Sequence, residues 1–221
     1  MEAVIFDMDG VLVDSEYTFL ESKTALLKDA GFEKDISYQY QFMGTTFEFM
    51  WKKMKEELGL PLTVEDYIRE MNERREEMID RDGIKEIPHV KEVVKGLSEA
   101  GFKLAVASSS PKAEIERAMK ELELDSFFDF LVSGEEVAHS KPAPDVFLKA
   151  AELLAVSPKD CIVFEDTKNG SRAAKAAGMY CIGFENPEYP AQDLTAANEI
   201  IRDFHEVDVT RLKKLPSISE G

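Results

Sequence analysis

The chain opens on a short unbroken apolar run, Ala3-Val4-Ile5-Phe6, that ends abruptly in Asp7-Met8-Asp9-Gly10. A run of that length without alternation predicts a strand buried on both faces and leading into a polar turn. From Asp14-Ser15, both good N-caps, to about Gly83 the spacing becomes helical. Phe19, Leu20, Leu26, Leu27 and Ala30 form one amphipathic stretch before Gly31, and Thr46 to Leu58 forms a second, closed by Gly59. Thr63-Val64-Glu65-Asp66 is a capping-box-like start for a third, which runs through Tyr67, Ile68, Met71, Met78 and Ile79 to Gly83. No strand signal interrupts this block.

Beyond Ile87-Pro88 helical and strand-like segments alternate. A helix from Val90 to Ala100, stopped by Gly101, leads to a strand over Lys103 to Ala107. Ser110-Pro111 reads as an N-cap followed by proline in the first helical position. A strand near Phe130 to Val132, a helix over Asp145 to Leu154 and a strand over Cys161 to Phe164 follow. Next come an alanine-rich helix ending at Gly178, strands at Tyr180 to Phe184 and around Glu199 to Ile201, and a last helix near Val207 to Leu215. This is the spacing of right-handed crossover units, so the expected class is α/β: a doubly wound, Rossmann-like parallel sheet with an inserted α-helical cap. The expected domains are a core of residues 1–14 and 87–221 and a cap of residues 15–86, with a frayed tail from Pro216 to Gly221.

Composition narrows the possible partners. With 44 acidic and 27 basic residues the formal charge of the 221-residue chain is −17, so a cation-rich face for nucleic acid or an anionic membrane is not expected. Cys161 and Cys181 lie in apolar runs, as buried free thiols do, and with His89, His139 and His205 scattered, no Cys/His cluster that could build a zinc site is expected. No positively charged leader precedes the first strand and no apolar run is long enough to span a bilayer. A cytoplasmic monomer is the expectation.

In open parallel sheets ligands bind beyond the carboxyl ends of the strands. Here those ends carry Asp7 and Asp9, then Ser108-Ser109-Ser110, then Glu165-Asp166, with Lys141 in the loop Ser140 to Pro144 on the same rim. Asp7 and Asp9 are two positions apart, so both carboxylates can face one side of the strand end. Asp166 completes an oxygen-rich set suited to Mg²⁺. A lone Asp-x-Asp is most often a solvated turn, but the combination on successive strand ends is a candidate site.

These residues resemble the haloacid dehalogenase superfamily, in its branch of small phosphatases and β-phosphoglucomutases. Asp7 to Glu16 is similar to the first motif of that family, Ser108 to the second, Lys141 in Ser-Lys-Pro-Ala-Pro-Asp to the third, and Glu165 to Gly170 to the fourth. The resemblance implies a Mg²⁺-dependent phosphatase acting on a small phosphorylated metabolite. In it Asp7 is the nucleophile that forms an aspartyl-phosphate, Asp9 the acid and base, and Ser108 and Lys141 hold the phosphoryl oxygens. Asp7, Asp9 through its carbonyl, Asp166 and Glu165 are the candidate metal residues, Glu165 being equally a partner that orients Lys141. Met8, Gly10, Ser109 and Lys141 are candidate phosphate contacts, and Glu16, Tyr17, Met43 and Lys112 candidate substrate contacts.

The segment Phe42-Met43-Gly44-Thr45-Thr46-Phe47 departs from the mutase pattern. A β-phosphoglucomutase carries a Lys and an Arg around that glycine to grip a second phosphate, and a His in its first cap helix. An ungapped comparison puts Met43 and Phe47 at the cations and Phe19 at the His. A second dianionic phosphate there would be desolvated without counter-charge, at a cost of roughly several kcal/mol. The mutase is therefore the alternative reading unless Lys52 or Lys53 enters by a shifted register. A receiver-like signalling domain ranks last, because it carries neither the helical insertion nor the second aspartate. Phe47 and Trp51, at i and i+4, are expected on the core face of a cap helix.

Overall fold

A computed structural model of the chain describes residues 1–43 and 45–218. Gly44, in the mutase comparison, and Ser219 to Gly221, at the end of the expected tail, lie outside the described residues. By its internal contacts the chain divides into Met1–Asp14 with Lys85–Gly221, and Ser15–Ile84; the return to the first unit falls at Lys85, before the expected residue 87.

The first unit is built on six parallel strands: β1 (Ala3–Phe6), β2 (Lys103–Ser108), β3 (Phe130–Ser133), β4 (Cys161–Glu165), β5 (Tyr180–Phe184) and β6 (Glu199–Ile201). Their order is β3-β2-β1-β4-β5-β6. The chain winds one way from β1 to β3 and the other way from β4 to β6, so the topological switch lies between β1 and β4. All four residues of β1 are fully buried, as its unbroken apolar run requires. Alternate residues serve opposite faces. Ala3 and Ile5 join Ala105, Val163, the buried residues of Asp145–Leu154 and Ala173 and Ala174 of Lys168–Ala176 in one cluster. Phe6 points the other way and stacks on Phe164 at 4.9 Å, with Phe128 and Phe204 packed against this pair.

The core helices after the insertion are Val90–Glu99, Lys112–Glu121, Asp145–Leu154, Lys168–Ala176 and Val209–Lys214. Two sequence expectations need correction here. The helix after β2 begins at Lys112, because Pro111 is extended (φ −56°, ψ 146°) and occupies the cap position itself, which leaves Ser110 outside the helix. The tail is held as far as Ile218, whose N–H donates to the Lys159 carbonyl at 2.9 Å while the Ser217 hydroxyl meets Asp160.

The second unit comprises α1 (Glu16–Asp29), α2 (Phe47–Leu58) and α3 (Val64–Asp82), with a 3-10 helix over Ile36–Phe42 that the apolar spacing did not reveal. Thr46 and Thr63 cap α2 and α3 through their side chains, accepting from the Phe49 and Asp66 N–H groups, and Gly59 closes α2 in the left-handed region. Trp51 is fully buried and stacks on Tyr67 at 4.7 Å, so it forms the core of this unit. Phe47 is 38% exposed. No helix among the described residues is long and apolar enough to cross a membrane.

Candidate active site

The strand register builds the site. Phe6 pairs with Val106 on one side and Phe164 on the other, so the next residue, Asp7, falls level with Ala107 and Glu165. Its N–H still donates to the Phe164 carbonyl at 3.0 Å, which fixes the backbone at the point where the chain leaves the sheet. Ser108 and Glu165 are the last residues of β2 and β4.

Lys141 ties these ends together. Its Nζ donates to Asp7 Oδ1 at 2.8 Å, to Glu165 Oε1 at 2.9 Å and to the Ala107 carbonyl at 3.2 Å. Both ion pairs are buried. One ammonium facing two buried carboxylates leaves surplus negative charge in a poorly solvated place. Burial pushes the Asp7 carboxyl up to about 7; Lys141 opposes this, while the charges of Glu165 and Asp9 add to it. For Lys141 burial acts to lower the value, but the charges of Asp7 and Glu165 outweigh it and hold the ammonium above its ordinary range. Lys141 therefore stays protonated, and the site would gain from a further cation.

The donor chemistry fits a hard divalent ion. Asp7, Glu165 and Asp166 can each offer a carboxylate oxygen within 4.8 Å of the others, and an all-oxygen set of this kind suits Mg²⁺. Glu165 is already committed: Oε1 accepts from Lys141, and Oε2 accepts from the Thr167 N–H at 2.8 Å and the Thr167 hydroxyl at 3.0 Å. Gly10 makes room for Asp166. It has φ +78°, and a Cβ there would lie 2.1 Å from Asp166 Oδ2.

Asp7, Asp9, Ser108, Ser109, Lys141, Glu165, Thr167 and Asn169 line a cavity of about 240 Å³. Of the expected phosphate contacts, Ser109 and Lys141 face it. Met8 has a buried side chain, and its carbonyl accepts from the N–H groups of Leu12 and Val13 at 2.9 and 3.0 Å. The Gly10 N–H is taken by the Val13 carbonyl at 2.8 Å, so as a phosphate donor Gly10 is corrected: its role is steric. Lys112 is also corrected as a substrate contact. Its Nζ donates to the Leu131 carbonyl and lies 3.5 Å from Glu136, which ties it to β3. Glu16, Tyr17 and Met43 belong to the helical unit, where Glu16 lies beside the buried Lys23 and opposes the lowering that burial imposes on that ammonium.

Three lining or supporting residues lie in the quoted motifs but carry no assigned role in the sequence. Ser110 Oγ donates to Asp9 Oδ2 at 2.6 Å; its signal was the third serine of the Ser108-Ser109-Ser110 run. Thr167 and Asn169 lie one and three residues beyond Asp166, and Thr167 both serves Glu165 and caps the Lys168–Ala176 helix by accepting from the Gly170 N–H at 3.0 Å.

Comparison with known proteins agrees with this geometry. Residues 4–184 match the haloacid dehalogenase-like hydrolase family. The chain is 34% identical over 179 residues to the phosphorylated carbohydrates phosphatase of Thermotoga maritima, covering 81% of this chain and 82% of that one. It is 34% identical over 176 residues to the fructose-1-phosphate phosphatase YqaB of Escherichia coli, covering 80% and 92%. The crystal structure of a β-phosphoglucomutase from Clostridium difficile superimposes with a TM-score of 0.73 at 25% identity, covering 97% and 96%. The chain belongs to the haloacid dehalogenase-like hydrolase family, on its phosphatase and β-phosphoglucomutase-like branch, and is a phosphatase enzyme.

Proposed function

We propose that the protein is a Mg²⁺-dependent phosphatase of small phosphorylated sugars or similar phosphomonoesters, working through an aspartyl-phosphate at Asp7. The observation that carries this reading is the Lys141 bridge from Asp7 Oδ1 to Glu165 Oε1. It commits one oxygen of the Asp7 carboxylate and leaves the other to attack phosphorus. That displacement forms an acyl phosphate and breaks the ester P–O bond, and Asp9 gives its proton to the departing alkoxide. Asp9, now a carboxylate, takes a proton from the water that attacks the acyl phosphate, so that Asp7 is regenerated and inorganic phosphate leaves. Ser108, Ser109 and Lys141 hold the phosphoryl oxygens through these steps.

Mg²⁺ would be held by Asp7, the Asp9 carbonyl and Asp166, where it would screen the anionic nucleophile from the anionic substrate. We infer that Glu165 positions Lys141, its Oε1 accepting from that ammonium and its Oε2 from the Thr167 N–H, while Asp7, Asp9 and Asp166 hold the ion. The carbohydrate-phosphate relatives support a sugar phosphate as the substrate class. Likeness to a β-phosphoglucomutase keeps the isomerase as a second reading. Against it, Phe47 packs on Phe19 with ring centroids 5.2 Å apart, apolar side chains at two positions where the resemblance calls for a cation and a histidine.

Phosphate release from a panel of sugar phosphates, polyol phosphates, nucleotides and phosphoglycolate, with Mg²⁺ and with EDTA, tests the proposal. Turnover should require Mg²⁺ and vanish in Asp7→Asn; undiminished turnover in that variant would sink the mechanism. Efficient conversion of β-glucose 1-phosphate to glucose 6-phosphate would instead favour the mutase.

A further inference from the structure

The fold brings together two of the three histidines that looked scattered in the sequence. His89 is the N-cap residue of the Val90–Glu99 helix, and His205 lies in the 3-10 turn Phe204–Glu206 that follows β6. Their rings stack with centroids 3.5 Å apart. Asp203 completes the group: its carboxylate and the two imidazoles can each offer a ligand atom within 4.8 Å of the others, and Asp203 Oδ1 lies 3.5 Å from His205 Nδ1.

Hydrogen bonds to backbone N–H groups fix the turn that carries Asp203 and His205. Asp203 Oδ1 accepts from the His205 N–H at 2.7 Å, and Glu206 Oε1 accepts from the N–H groups of Arg202 and Asp203 at 2.6 and 2.9 Å. Phe204, between Asp203 and His205, is fully buried and anchors the turn. His89 has φ 66°, in the left-handed region that few non-glycine residues adopt, and its side chain makes no capping hydrogen bond. Asp203 and His205 remain exposed and His89 half-buried, so the ligand atoms can be reached from solvent.

We propose that His89, Asp203 and His205 form a binding site for a divalent transition-metal ion of the Zn²⁺ type, separate from the carboxylate set at the strand ends. Two imidazoles and one carboxylate are the donors that Zn²⁺, Ni²⁺ and Cu²⁺ take, whereas Mg²⁺ prefers oxygen alone. The ion would link the start of the Val90–Glu99 helix to the turn after β6. Because the three ligands come together only in the folded chain, binding would stabilise the core unit.

The test is a Zn²⁺ titration against a chromogenic chelator, paired with thermal melting, both in excess MgCl₂ so that the strand-end carboxylates are occupied. The variants are His205→Ala, Asp203→Asn and His89→Asn, asparagine being chosen because it tolerates the left-handed backbone. The intact protein should bind one Zn²⁺ per chain and melt at a higher temperature with it. Each histidine variant should lose tenfold or more in Zn²⁺ affinity together with the melting shift, while its Mg²⁺-dependent phosphate release stays within twofold. Equal Zn²⁺ affinity in the intact protein and the His205→Ala variant would overturn the proposal, as would the absence of Zn²⁺ binding by the intact protein at micromolar concentration. Should His89→Asn fold poorly, His205→Ala and Asp203→Asn on the exposed turn decide the matter.

Discussion

Gly170 lies so close to Glu165 that a Cβ on it would fall 1.6 Å from Glu165 Oε1 and 1.8 Å from Cδ. Glu165 is fully buried and hydrogen-bonded through both oxygens, so it has nowhere to retreat. Gly170→Ala should therefore displace Glu165 and loosen its hold on Lys141. We expect a loss of about 1–3 kcal/mol in stability from overpacking and a fall in kcat larger than any rise in KM. Denaturant unfolding and steady-state phosphate release check both halves; an unchanged midpoint would show that the helix shifts to make room.

Ser110 should act on the rate and not on binding. Its hydroxyl donates to Asp9 Oδ2 at 2.6 Å, and its carbonyl accepts from the Ser133 hydroxyl at 2.7 Å, which fixes the turn. A hydrogen bond to a charged group contributes roughly 1.5–3 kcal/mol, so Ser110→Ala should lower kcat by about ten- to a hundredfold with KM little changed, and Ser110→Thr should recover most of it. A rise in KM at constant kcat would contradict this positioning role.

The strand-end acids were legible because a buried parallel strand is an unbroken apolar run, and the first charged residue beyond it marks its carboxyl end. Asp145–Leu154 and Tyr180–Phe184 fall on the same bounds in sequence and structure for a similar reason, since apolar spacing alone decides them. Ser-Pro at Ser110 is a strong helix-start signal locally, whereas its tertiary bond to Asp9 depends on a residue 101 positions away, in the turn after β1. The demands on Gly10 and Gly170 were hidden likewise: both are set by carboxylates from the fourth motif filling the space a side chain would need. The pairing of His89 with His205 follows from the packing of the Val90–Glu99 helix against the Phe204–Glu206 turn, which residue spacing does not encode.

Lys112 supplies a negative prediction. Its Nζ is engaged by Leu131 and Glu136, and its N–H donates to Glu135 Oε2 at 3.0 Å. Lys112→Ala should leave kcat and KM within twofold while costing about 0.5–1.5 kcal/mol for the lost carbonyl contact. A fall of tenfold or more in kcat/KM on the preferred substrate would return Lys112 to the site.

The elevated Asp7 carboxyl makes metal-free stability depend on pH. In the folded chain burial pushes it up to about 7, against the ordinary carboxyl value of 3.8. Between those values the folded state keeps a proton that the unfolded state has lost, so stability falls as pH rises, beginning near 4 and complete above about 7. Lys141 is raised, so its contribution is fully present below the ordinary lysine range and lost only as pH rises beyond it, outside this window. With EDTA present, melting temperature should drop between pH 5 and pH 8. Asp7→Asn removes the buried charge, so it should flatten that drop and stabilise the metal-free protein at pH 8 by about 1–3 kcal/mol. MgCl₂ should then raise the melting temperature of the intact protein at pH 8 more than that of Asp7→Asn, because the variant has lost one of the carboxylates that hold the ion and whose charge it neutralises. The difference between the two proteins isolates Asp7 from the other acidic groups of a chain with formal charge −17. Parallel pH profiles in EDTA would show that Asp7 is not the group whose ionisation strains the fold.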